Sequence, residues 1–133
     1  MATEVAHLMT APVLTTDPAT PVEEIADAML EEGINSIVAI DDDCRPIGIL
    51  TSTDFVRIVA EGTPKSTTTV GDHMTTEIET TRPDVPIPEI ARRMVERDIS
   101  HFPVVDGGEV IGIISATELT EYISGMAITE TGE

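Results

Sequence analysis

The sequence predicts an α/β protein made of two copies of one strand-helix-strand-strand-helix unit, and three observations point there. The first is repetition. With Val5 to Asp41 set beside Val70 to Asp106, a shift of 65, Met9-Thr10, Thr15-Thr16, Pro18, Pro21, Glu24-Ile25-Ala26, Met29, Glu31 and Ile34 recur as Met74-Thr75, Thr80-Thr81, Pro83, Pro86, Glu89-Ile90-Ala91, Met94, Glu96 and Ile99. Such a run marks a duplicated supersecondary unit. Further on the shift becomes 64, where Ile47-Gly48-Ile49 and Thr53 match Ile111-Gly112-Ile113 and Thr117. The change falls between Asp41-Asp42-Asp43 and Asp106-Gly107-Gly108, where a hairpin turn tolerates it. The second observation is composition: 41% of the residues are apolar, yet there is no Trp, one Tyr and two Phe. The core must therefore be aliphatic, as in α/β packing. The third is the alternation of amphipathic stretches with short aliphatic runs.

In the first half, Thr20-Pro21-Val22-Glu23 reads as an N-cap, a Pro at the first helical position and a capping-box acid. Val22, Ile25, Ala26, Met29 and Leu30 then form one stripe, and Gly33 stops the helix. Ser36 to Ile40 and Ile47 to Leu50 are strands flanking a polar turn, and Asp54 to Ala60 is a second helix carrying Phe55, Val56, Ile58 and Val59. The second half repeats this with Ile87 to Arg97, Phe102 to Val105, Val110 to Ile114 and Glu118 to Ser124. The expected organisation is a first repeat over 1–61, a linker over 62–69, a second repeat over 70–126 and a flexible tail over 127–133. A half of about 55 residues is marginal alone. The repeats are therefore expected to pack together around a pseudo-two-fold axis, leaving two equivalent clefts where small ligands sit.

At 133 residues the chain fits one compact module and is too short for a multidomain enzyme. No apolar run approaches the roughly 18 residues of a membrane span, and the N-terminus lacks the basic and apolar regions of a signal peptide. The expectation is a soluble, cytoplasmic protein. The single cysteine, Cys44, lies in a polar turn and has no disulfide partner. The formal charge is −18, from 25 acidic residues against seven basic ones, of which only Lys65 is a lysine. Such a surface repels nucleic-acid phosphates and anionic membranes. It also suggests a halophilic habitat, where salt screens the self-repulsion. His7, His73 and His101 show no metal-ligand spacing, and there is no nucleophile motif, P-loop or dinucleotide fingerprint. No catalytic residue, metal or catalytic cofactor is expected.

Met9-Thr10, the Pro-containing turn before the amphipathic helix, Ser100-His101-Phe102-Pro103-Val104-Val105-Asp106 and Gly48-Ile49-Leu50-Thr51-Ser52-Thr53-Asp54 together resemble the cystathionine-β-synthase (CBS) domain family. The pair resembles its two-repeat Bateman module over nearly the whole chain from about Val5 to Ile123, and a stand-alone module is the expectation. The family's nucleotide signature is a Gly and two apolar residues, then Thr or Ser, two variable positions and Asp. Gly48, Thr51 and Asp54 satisfy it. An Asp at a helix start can accept hydrogen bonds from two vicinal ribose hydroxyls, while Thr51, Thr53 and the free N–H groups of the first turn donate to ligand oxygens. The same residues also serve simply as a helix cap. The resemblance implies an adenine sandwich formed near Thr10 and Val13, at Ile34, Asn35 and Ser36, and at Ile49. The second half offers Thr75, Ile78, Ile99, Ser100, His101 and Ile113 for the same purpose, with Ser115, Thr117 and Glu118 beyond them. His101 occupies a strand position where family members often place a basic residue facing the cleft. Ser115 and Glu118 depart from the signature, which puts the second site in question.

The function implied is that of a regulatory module binding AMP, ADP, ATP or S-adenosylmethionine and signalling to an unidentified partner protein. The alternative is a ligand-independent assembly module. A homodimer is expected through the second helices, which carry Phe55, Ile58 and Val59 in one half and Leu119, Tyr122, Ile123 and Met126 in the other.

Overall fold

A computed structural model of the chain describes residues 3–62, 64 and 67–125. Lys65, Met126 and the 127–133 tail lie outside the described residues. In chain order the elements are α1 (Val5–Leu8), β1 (Thr15–Thr16), α2 (Val22–Glu32), β2 (Ser36–Ile40), β3 (Pro46–Thr51), α3 (Ser52–Glu61), α4 (Val70–His73), α5 (Ile87–Arg97), β4 (His101–Asp106), β5 (Glu109–Ser115) and α6 (Ala116–Ile123). The α/β class and the repeated sheet-and-helix unit read from the sequence are present.

The chain forms two compact units whose boundaries cut across the repeats. One spans Leu14–Ile78; the other joins the segment ending at Val13 to the chain from Glu79 onward. In the 14–78 unit, β1 runs parallel to β2, pairing Thr15 with Val38 and Thr16 with Ala39. β2 then runs antiparallel to β3, Ser36 opposite Thr51 and Val38 opposite Ile49. Its core holds Val22, Ile25 and Met29 of α2, Ile37, Ala39 and Leu50 of the sheet, Ile58 of α3 and Val70 of α4. In the split unit, β4 and β5 form the sheet, and the core holds Ile87, Ile90, Phe102, Val104 and Ile114 together with Val5 of α1. Each repeat thus contributes its first segment to the unit built mainly from the other.

That exchange explains two local features. Ile49 and Thr75 exchange both backbone hydrogen bonds, at 3.0 and 2.8 Å, and Ile113 and Thr10 do the same at 3.1 and 2.8 Å. The incoming segments lie so close to the sheet that a Cβ in place of either glycine opposite them would force a neighbour to shift. A Cβ on Gly48 would stand 2.5 Å from Met74 Sδ, and one on Gly112 would stand 2.9 Å from the Thr10 carbonyl oxygen. The repeated Met-Thr and Ile-Gly-Ile motifs are therefore two halves of one packing contact. The segment before each short helix also satisfies the first N–H of the long one: Val22 N–H donates to Thr68 O and Ile87 N–H to Thr3 O, both at 2.9 Å.

Several expectations need correction. Thr20 does not cap α2; Pro21 is itself the N-cap, with no side-chain bond, because the Thr68 carbonyl takes the role. The short helices α1 and α4 precede each repeat's strand and were not anticipated. Their capping boxes, Glu4 with His7 and Thr69 with Asp72, sustain single turns. In the second repeat the leading strand shrinks to one bridge, Thr81 to Val104. Pro103 is the cause: its counterpart Val38 donates its N–H to Leu14 O, and proline has none to donate. Finally, Ile58 is buried in its own unit and Phe55, Leu119 and Tyr122 are partly packed against the cores, so the helix surface left exposed is Val56, Val59 and Ile123.

Arg93 of α5 is half-buried. Its guanidinium lies 4.9 Å from the Phe102 ring centroid and donates to Glu79 Oε1 at 2.9 Å, and Arg97 donates to the other oxygen of Glu79. Cys44 is exposed in the β2–β3 turn with φ 63, a turn held by Asp41 Oδ1, which accepts from the Asp43 and Arg45 N–H groups. No helix among the described residues is long and apolar enough to cross a membrane.

Candidate functional site

Each unit carries a carboxylate at the junction where its last strand turns into a helix. In the 14–78 unit, Thr51 ends β3 and caps α3, and Asp54, three residues on, completes a reciprocal capping box. Asp54 Oδ2 accepts the Thr51 N–H at 2.8 Å and the Thr51 hydroxyl at 3.2 Å. Oδ1 accepts Arg57 Nη1 at 3.0 Å. The Asp54 side chain is 7% exposed and that of Arg57 64%. The junction is tied to the neighbouring strand, where Ser52 N–H donates to Asn35 O at 3.0 Å and Ser36 sits opposite Thr51, buried. Asp54 is thus a nearly buried carboxylate with an open cation at one end.

In the split unit, Ser115 ends β5 and caps α6, with Glu118 as the reciprocal partner. Glu118 Oε1 accepts the Ser115 N–H and hydroxyl, both at 2.6 Å, and Oε2 accepts the Thr10 hydroxyl at 2.6 Å. Ala116 N–H donates to Ser100 O at 3.0 Å, the counterpart of the Ser52 to Asn35 bond. His101 lies opposite Ser115, half-buried, with Nδ1 3.1 Å from Ser100 Oγ.

The residues expected at the sites divide between the two units. Ile34, Asn35, Ser36, Ile49, Thr51, Thr53 and Asp54 share a unit with Thr75 and Ile78; Ile99, Ser100, His101, Ile113, Ser115, Thr117 and Glu118 share one with Thr10 and Val13. Thr10 and Val13, expected beside the first half's residues, lie in the unit of the second half's, and the backbone of Thr10 pairs with Ile113, not Ile49. Thr53 and Thr117 are exposed at the second position of α3 and α6, where the preceding N–H already donates to Asn35 O or Ser100 O and the following one to the capping hydroxyl. Ile49 and Ile113 are both buried in their sheets. Arg57 was not singled out for the site; its signal was the i,i+3 spacing from Asp54. Among the described residues no cluster of three His, Cys, Asp or Glu side chains could hold a metal ion.

The family model of the CBS domain matches residues 5–61 and 70–125. The chain belongs to the CBS domain family. Among solved structures, the CBS domain pair of protein MJ0100, in complex with 5'-methylthioadenosine and S-adenosyl-L-methionine, is similar with a TM-score of 0.83 at 26% identity, covering 95% of this chain and 99% of that one. An uncharacterized conserved protein from Pyrococcus horikoshii gives 0.80 at 30% identity, covering 92% and 93%. In sequence, this CBS chain is 32% identical to the uncharacterized protein MK0525 of Methanopyrus kandleri over 111 residues, and 33% identical to a homoserine O-acetyltransferase of Methanosalsum zhilinae over 126. It spans 57% of the former and 25% of the latter.

Proposed function

We propose that this CBS pair is a non-catalytic sensor of an adenosine compound, with Asp54 accepting the ribose hydroxyls. The observation that carries this is the state of the Asp54 carboxylate. A carboxylate offers about four lone-pair positions, and Asp54 accepts three hydrogen bonds from the protein, one of them from Arg57. Release of Arg57 to water leaves room for two vicinal hydroxyls while Thr51 keeps the carboxylate oriented. Arg57 then stands beside the ligand as a cation for phosphate or carboxylate. Similarity to a CBS pair in complex with S-adenosyl-L-methionine and 5'-methylthioadenosine supports the ligand class.

The regulated protein is a partner, reached through a change in α3, the helix that Thr51 caps. The match to one quarter of a homoserine O-acetyltransferase supports a role alongside larger proteins. Self-association through α3 and α6 belongs to the same proposal, supported by exposed Val56, Val59 and Ile123. A thermal-shift panel with AMP, ADP, ATP, S-adenosylmethionine and 5'-methylthioadenosine tests it, since a ligand of the native state raises stability by RT ln(1 + [L]/Kd). A rise with at least one is expected. No rise with any at millimolar concentration would favour a ligand-independent assembly module.

A further inference from the structure

The two capping boxes differ in where the second carboxylate oxygen goes. Both sit in the same backbone frame, because Thr75 pairs with Ile49 as Thr10 pairs with Ile113. Asp54 turns its second oxygen to Arg57, whereas Glu118 reaches the Thr10 hydroxyl at 2.6 Å. The difference is one methylene, roughly 1.5 Å of reach. The position matching Arg57 in the second repeat is Glu121, an acid, so no guanidinium competes for the Glu118 oxygen. Three short bonds, all at 2.6 Å, hold Glu118, and one of them ties it to the exchanged N-terminal segment.

We infer that the Glu118–Thr10 pair is an internal latch: the Thr10 hydroxyl fills the acceptor position that a ribose hydroxyl would take, which leaves one adenosine site per chain, the one at Asp54. Glu118 is on this account a positioning residue that holds the segment ending at Val13 against β5. Opening the second site requires breaking a charge-assisted bond to a neighbour already fixed by two backbone bonds, whereas opening the first requires only the release of an exposed arginine. The neighbouring Glu121 adds like charge against any phosphate. The stoichiometry claim rests on ribose binding at Asp54; the latch itself does not.

The test uses the full chain, titrated calorimetrically with S-adenosylmethionine, 5'-methylthioadenosine, AMP and ATP, and melted without ligand. Wild type is expected to take one equivalent per chain. Thr10→Val, which keeps the side-chain shape and frees Glu118, is expected to take up a second equivalent, and Glu118→Asp, which shortens the reach, likewise. Two equivalents of similar affinity in wild type, or a stoichiometry unmoved in both variants, would overturn the inference. Without ligand, Thr10→Val is expected to lower Tm by roughly 3 to 6 °C, and the matching Thr75→Val by less. A wild-type chain that binds none of the four compounds defeats the assignment at Asp54. The latch is then decided by the melts, and a Thr10→Val chain as stable as wild type removes it.

Discussion

Val5 and Val70 occupy equivalent positions in the two repeats, both have no solvent exposure, and each lies in the core of the unit built mainly from the other repeat. The compact unit is consequently not the sequence repeat. Val5→Ala and Val70→Ala are each expected to cost about 2 kcal/mol through lost burial and the cavity left behind. Chain fragments separate the two descriptions more sharply: residues 14–78 should show a cooperative thermal transition, and residues 1–61, which lack Val70 and the Met74 cover, should not. Equal behaviour of the two fragments would contradict the exchange.

The glycines beneath the exchanged segments should respond unequally to substitution. At Gly48 a new methyl group meets Met74 side-chain atoms, which can rotate away; at Gly112 it meets the Thr10 carbonyl oxygen, which is held by a backbone bond. Gly112→Ala is expected to cost about 2 to 3 kcal/mol and Gly48→Ala about 1 kcal/mol, in the range of overpacked sites. Urea unfolding of the two variants checks the order.

Much of this fold was legible in the sequence, and the limits have physical causes. The long helices followed from apolar stripes and from Gly33, which sits at φ 68 where α2 ends. Their starts were harder, since the Thr68 and Thr3 carbonyls that take the place of a side-chain cap come from distant segments. The capping boxes at Thr51 and Asp54 and at Ser115 and Glu118 follow from residue type and spacing. The exchange did not show, because Met9-Thr10 and Met74-Thr75 are the same dipeptide and either would fit over either glycine. The Glu118 to Thr10 bond was hidden for the same reason, while the shortened leading strand was readable from Pro103 and its missing donor.

Acid should weaken the protein in a defined way. The Arg93 hydrogen bond, with the Arg97 charge behind it, holds the Glu79 carboxyl below its ordinary value. Backbone N–H donation from Arg45 does so for Asp41, and from Thr69 for Asp72. Groups with a lowered folded-state pKa contribute their full stability above the unfolded value, about 4, and lose it as pH falls through the lower folded value. In 1 M NaCl, which screens the general acidic repulsion, stability is expected to hold from pH 7 to about 5 and then fall, and Glu79→Gln should shallow that fall. A slope unchanged in Glu79→Gln would remove the Arg93 ion pair from the explanation.

Net charge makes a separate prediction. With −18 per chain, carboxylates repel over about 30 Å at 0.01 M salt and about 3 Å at 1 M. The Tm is expected to climb with NaCl, and the self-association proposed through α3 and α6 is expected, by light scattering, to weaken as salt is withdrawn. A Tm flat across that range would defeat the halophilic reading. A 14.2 kDa species alone at high salt would defeat self-association through α3 and α6.

The central claim is that Asp54 binds the ribose of an adenosine compound, and calorimetric titration of wild type beside Asp54→Ala tests it most directly. Hydrogen bonds to a charged acceptor are worth about 1.5 to 3 kcal/mol, so the variant, shown by its melt to be folded, is expected to bind the best ligand roughly 10-fold to 100-fold more weakly. An Asp54→Ala chain that binds as tightly as wild type would contradict the account.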